Sequence, residues 1–220
     1  NEGNLEYLGR EINHQYSKSF AFEKKFREYC AKYLARGVEY FSLLRPLYEL
    51  QIAKLFSRYP KYFKAFLSCN QASSAKSGTR EPSGRWCGRC PKCLFVFACL
   101  YPFLSATKMM EIFHQNLFSK KELLPVMQEL IGDGFDGLTT GRTFKPFECV
   151  GTTKESLAAF YLSWKTYRGH TSESLLPVLL EYFEKEVLPR HPNLKLEAKK
   201  ILNSRNPENN LSKIHLTIDK

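Results

Sequence analysis

The chain has 220 residues, 43% of them hydrophobic, and a formal net charge of +11. Those figures suit one globular domain, or one and a half, with a real core. They exclude a membrane-spanning helix, because no uninterrupted apolar run approaches the ~20 residues a bilayer requires. No signal peptide is visible, so the seven cysteines fit a reducing cytoplasm better than a secreted scaffold. The chain opens at Asn1, without Met, inside a polar segment, which points to a fragment or a processed piece.

Residues 1–18 read as polar and irregular. A helix is predicted over 19–36, where Phe22, Phe26, Tyr29, Cys30 and Tyr33 recur at helical spacing. Gly37 ends it, and 38–44 reads as a short apolar strand. Pro46 suits the first turn of a helix that would carry Leu47, Leu50, Ala53 and Leu55 into a core. Residues 70–85 form a loop rich in Ser, Gly and Lys. A helix leaves at Pro91 and buries Leu94, Phe97, Cys99 and Leu100. Further helices are predicted over 107–116 and 120–131. Residues 132–151 carry five glycines without a clear period and read as an ordered functional loop or a linker. Thr152-x-x-Glu155 is a capping box that starts a helix running to about residue 167. Another helix is predicted over 172–187 and a last one over 194–202, before a loose polar tail.

Cys69, Cys87, Cys90 and Cys93 follow the pattern C-x17-C-x2-C-x2-C. Four thiolates supply the tetrahedral shell that zinc prefers, and a closed shell is structural rather than catalytic. Gly88 gives the turn its backbone freedom. The competing reading is a set of free or disulfide-bonded cysteines, although three thiols within seven positions pair awkwardly. Between Lys61 and Cys93, seven basic residues face one acid, Glu81. That excess either attracts phosphates or balances the charge of a tetrathiolate zinc site.

Two polar constellations stand apart from the cysteines. Residues 13–19, with His14, Tyr16 and Lys18, precede a helix and suit a phosphate or carboxylate contact; they also suit an ordinary helix cap. In 135–149, Arg142 and Lys145 could clamp an anion. Cys149 has basic neighbours that would favour its thiolate, or it is a small buried apolar residue. No His-Glu-x-x-His helix, Gly-x-Ser-x-Gly elbow or Walker loop occurs.

The Leu44-Arg45-Pro46-Leu47 step, the Ser68-Cys69-Asn70 step and the Cys87-Gly88-x-Cys90-x-x-Cys93 knuckle resemble the C-terminal half of PP-loop ATP pyrophosphatases. Cyano-deazaguanine synthases have a similar order, but with an aromatic residue at the position of Asn70 and a shorter loop. A closer resemblance is to MurL, the UDP-N-acetylmuramoyl-L-alanyl-L-glutamate epimerase family. It rests on residues 1–4, 13–20, 43–47, 86–93 and 145–152, taken in order.

The resemblance implies an α/β fold: the C-terminal portion of a Rossmann-like PP-loop ATP pyrophosphatase, predominantly helical here, with a four-cysteine zinc knuckle. Residues 1–68 would end the nucleotide-binding domain, 69–104 hold the knuckle and basic loop, 105–203 form a helical region, and 204–220 a loose tail. The family activates the terminal L-glutamate carboxylate of a nucleotide-linked dipeptide with ATP and Mg²⁺, then epimerises it, in cytoplasmic peptidoglycan synthesis. Asn1, Asn4, Lys18, Arg45, Arg142 and Lys145 would contact substrate or nucleotide. Cys149, His14 and Tyr16 are the candidates for proton transfer. The Ser-Gly-Gly-x-Asp-Ser loop of the superfamily is absent from this sequence. The expectation is therefore a part of a longer enzyme, inactive alone.

Two other functions fit the sequence less well. One is a PP-loop enzyme that modifies a deazaguanine base or tRNA. The other is a zinc-dependent nucleic-acid or protein interaction module, disfavoured because 70–85 holds no aromatic residue for base stacking.

Overall fold

The computed structural model describes residues 5–12, 16–34, 37–73, 85–133, 150–170 and 175–206. The described residues are mostly helical. A two-stranded antiparallel hairpin comes first, β1 (Leu5–Tyr7) against β2 (Arg10–Ile12), with Tyr7 opposite Arg10. Its turn places Leu8 and Gly9 at positive φ, +52° and +71°, as a two-residue hairpin loop demands.

Ser19 then caps α1 (Phe20–Tyr29), its Oγ accepting from the Phe22 N–H at 3.1 Å. A π-helical turn, Cys30–Leu34, continues it. The strand expected over 38–44 does not form. The backbone there is satisfied by α1 side chains instead of a sheet: Arg27 Nε donates to the Tyr40 carbonyl at 3.0 Å, and the Ser42 N–H donates to Glu23 at 3.2 Å.

The helix expected from Pro46 is α2 (Glu49–Phe56), which begins three residues later; it buries Leu50 and Ala53, but Leu47 precedes it and Leu55 is exposed. A single turn, α3 (Asn70–Ser73), follows Cys69. The centre of the molecule is α4 (Pro91–Leu100), with Pro at its first position and seven of its ten residues buried. It packs on α2 and on α7 (Thr153–His170). The buried Ser163 hydroxyl of α7 donates to the Ala98 carbonyl of α4 at 2.9 Å. Between them lie α5 (Ala106–Phe113) and α6 (Leu124–Ile131). The region expected as one helix over 172–187 is α8 (Val178–Tyr182) and a π-helical turn, Phe183–Val187. The last helix, α9 (Leu194–Asn203), packs on α7.

An aromatic spine runs through this core. Phe66, Trp86, Phe113, Phe97, Phe118, Phe160 and Phe183 follow one another with ring centroids 4.9–6.2 Å apart. Trp86 is therefore rooted in the core immediately before Cys87.

Candidate metal centre and adjoining cavity

The four cysteine sulfurs converge at the N-terminus of α4. Cys69 arrives just ahead of α3, Cys90 is the N-cap of α4, and Cys93 lies in its first turn. All four Sγ atoms lie within 4.8 Å of one another. Separations are 3.5 Å for Cys90–Cys93, 3.6 Å for Cys87–Cys93 and 3.9 Å for Cys69–Cys90. A disulfide needs about 2.05 Å, and all four thiols are free. Four thiolates held about 2.3 Å from one ion in a tetrahedron would stand about 3.8 Å apart. The observed spacing is close to that edge length, so these residues fit a four-coordinate thiolate centre.

Local structure favours thiolates here. The free N–H groups and the dipole of α4 point at the cluster. Backbone N–H groups donate to sulfur as well: Arg89 to Cys87, Cys93 to Cys90 and Gly88 to Cys93. The side-chain contact between Cys90 and Cys93 pulls the Cys90 thiol down to about 5. The same contact, with burial, pushes the Cys93 thiol up. Burial does the same to Cys87. Four sulfurs this close cannot all ionise without a cation among them, which is the service a divalent metal would perform.

The turn between Cys87 and Cys90 needs its glycine. Gly88 has φ +65°, and a Cβ there would meet the Gln115 side chain at 1.8 Å. Lys120 Nζ donates to the Gly88 carbonyl at 3.2 Å.

A cavity of about 340 Å³ opens beside this centre. Its apolar lining comes from Phe56, Phe66, Phe95, Cys99 and Leu100, among others. Its polar groups are Lys18, Glu49, Ser68 and Lys92. Ser68 precedes Cys69, and Lys92 lies between Cys90 and Cys93, so the cysteine centre fixes part of the cavity wall. Val150, the residue after Cys149, also lines it. The Cys99 thiol on the wall is pushed well up by burial, with the Glu155 and Glu49 carboxylates adding to the effect. It therefore stays neutral and serves as an apolar wall group.

Of the sequence-predicted site residues, Lys18 reaches the cavity. Tyr16 is exposed, its ring edge-on to Phe22 at 6.1 Å. Arg45 is engaged internally: Nε donates to Glu23 at 2.9 Å, Nη2 donates to the same carboxylate oxygen, and Nη1 donates to the Lys18 carbonyl at 3.1 Å. It thus braces Lys18. Asn1, Asn4, His14, Arg142, Lys145 and Cys149 lie outside the described residues. Sequence reasoning missed Ser68 and Lys92 as cavity residues; their only signal was adjacency to the cysteines. It also missed the second role of Glu155, which accepts from the Glu49 N–H at 2.7 Å and so caps α2 as well as α7.

The fold and site define a helical domain built on a buried four-cysteine centre with a polar-rimmed cavity beside it. The chain belongs to the MurL family: the MurL C-terminal domain matches residues 65–185, which is 121 of the 220 residues. The MurL N-terminal domain matches residues 1–43. Relatives named UDP-N-acetyl-alpha-D-muramoyl-L-alanyl-L-glutamate epimerase are similar to it. That of Xanthomonas oryzae pv. oryzae is 41% identical over 149 residues, 68% of this chain and 31% of the relative. Those of Micromonospora sp. and Salinispora tropica are 41% and 40% identical over 159 residues, 72% of this chain and 33% and 32% of the relatives. The chain thus spans about a third of the length of these curated relatives. No solved structure matches it. Among the described residues, no helix is long and apolar enough to cross a membrane.

Proposed function

We propose that this chain serves the ATP-dependent epimerisation of the terminal L-glutamate of UDP-N-acetylmuramoyl-L-alanyl-L-glutamate, a cytoplasmic step of peptidoglycan synthesis. The activity for which the relatives are named and the family match support that reading. The observation within the structure that carries it is convergence. Lys18 from the first polar constellation, Ser68 and Lys92 beside the cysteines, and Val150 beside Cys149 meet at one cavity. Two ammonium groups suit the phosphates or carboxylate of such a substrate, and the aromatic wall suits a planar ring.

The chemistry explains the need for ATP and Mg²⁺. A carboxylate is a poor electron sink, so its α-proton is hard to remove. Attack of the glutamate carboxylate on the α-phosphorus of ATP releases pyrophosphate and leaves an acyl-adenylate. That mixed anhydride stabilises the enolate formed when a base takes the α-proton. A proton delivered to the opposite face sets the D configuration, and hydrolysis frees AMP. Cys149, His14 and Tyr16 are the proposed proton-transfer candidates, with Asn1, Asn4, Arg142 and Lys145 as proposed contacts. A Rossmann-like PP-loop domain would cradle the ATP phosphates. The metal we assign to Cys69, Cys87, Cys90 and Cys93 is zinc, which would cross-link the knuckle and leave no open position for chemistry.

A chimera tests this reading. The matching segment of the Xanthomonas relative is replaced by this chain, and terminal glutamate is analysed by chiral chromatography after incubation with ATP, Mg²⁺ and the L-glutamyl substrate. The reading predicts D-glutamate with release of AMP and pyrophosphate. A folded, metal-loaded chimera that leaves the glutamate entirely L would refute it.

A further inference from the structure

The segment 115–120 contacts the knuckle turn at two points. Gln115 packs its amide against Gly88, where even a methyl group would collide. Lys120 donates to the Gly88 carbonyl at 3.2 Å. Gly88 directly follows Cys87 and lies two positions before Cys90. The Lys120 ammonium therefore holds the turn that carries two of the four sulfurs. The segment is itself immobilised. Leu117 and Phe118 are fully buried, Phe118 stacks edge-on against Phe97 at 4.9 Å, and Asn116 caps the turn by accepting from the Phe118 N–H at 3.0 Å. Lys120 thus leaves the core from a fixed point and is half-buried.

We propose that Lys120 is a positioning residue of the four-cysteine metal centre, holding the Gly88 carbonyl so that the knuckle turn keeps its ligating shape and lending positive charge to a thiolate shell. The inference rests on the metal reading above. A centre of four thiolates and one divalent ion carries two net negative charges. A cation fixed on the Gly88 carbonyl sits within the knuckle turn and lowers the cost of that charge. Loss of a group that supports the ligands of a metal typically costs about tenfold to a hundredfold in affinity.

The test measures zinc affinity of the purified chain by chelator competition, with the thiolate-to-metal band of the cobalt(II) form as a second readout. Lys120→Met should weaken zinc binding by about tenfold to a hundredfold and move the cobalt band to longer wavelength, because the thiolates become more electron-rich. Lys120→Arg should recover most of both. Lys121→Met, at the exposed neighbour, should behave as wild type. If Lys120→Met does not fold, Gln115→Ala, which loosens Gly88 without changing charge, should weaken zinc binding in the same direction. Wild-type affinity and spectrum in Lys120→Met, or in Gln115→Ala should the lysine variant not fold, would overturn the proposal and leave the metal reading standing. A wild-type chain that binds neither metal would overturn both.

Discussion

Glu155 is buried at 3% exposure, and one of its oxygens accepts from the Thr152 N–H and hydroxyl at 3.1 and 3.2 Å. The other accepts from Glu49, 106 positions away in sequence. The capping box was legible because it is local; the bond to α2 was not, since no spacing rule reaches that far. Every partner is a donor, so Glu155→Gln would turn an amide NH₂ toward an N–H and cost about 1–3 kcal/mol. Burial raises the Glu155 carboxyl above its ordinary 4.5 despite these bonds. An acid whose folded value is raised holds its proton longer in the native state. Its contribution to stability is full below 4.5 and is lost as pH rises through the folded value. Urea denaturation should therefore show a smaller gap between wild type and Glu155→Gln at neutral pH than near pH 4.5. A gap that widens toward neutral pH would contradict this.

At the scale of elements, the 38–47 loop shows where pattern and structure part. Its apolar run reads as a strand, but α1 supplies partners for its backbone, and no second strand is needed. The hairpin over 5–12 was missed because Leu8 occupies a positive-φ position that ordinarily announces itself as Asn or Gly. Helices α4, α7 and α9 were legible from periodicity, Pro91 and the capping box. Arg45 links these N-terminal pieces through Glu23, which is 2% exposed and also pairs with Arg27 at 3.3 Å. Arg45→Ala would leave that carboxylate with one weaker cation. The expected loss is about 2–3 kcal/mol, below the usual cost of orphaning a buried charge because Arg27 remains. Thermal denaturation checks it, and an unchanged midpoint would contradict the bracing role given to Arg45.

Across the whole molecule, the buried apolar core begins at Leu50 and reaches Ile201. Among the described residues, the segment before it contributes no buried apolar side chain and is held by Glu23 and its arginines. The core is organised from the cysteine turn outward. Trp86 enters the aromatic spine, Cys90 caps α4, and Ser68 and Lys92 face the cavity. The cysteine spacing made the centre legible in advance, because ligand geometry imposes short intervals. The cavity was not legible, because its wall gathers residues from 18 to 150 that only the packed helices bring together. We propose that the four cysteines form one structural metal centre supporting that cavity. Metal content and thiol titration of the chain purified without added metal, beside Cys69→Ala, test this. The expected result is one zinc per wild-type chain, four thiols protected until a chelator is added, and loss of zinc with a lowered unfolding midpoint in Cys69→Ala. A metal-free wild type with four freely reacting thiols, or a Cys69→Ala chain that keeps its zinc and its midpoint, would contradict it.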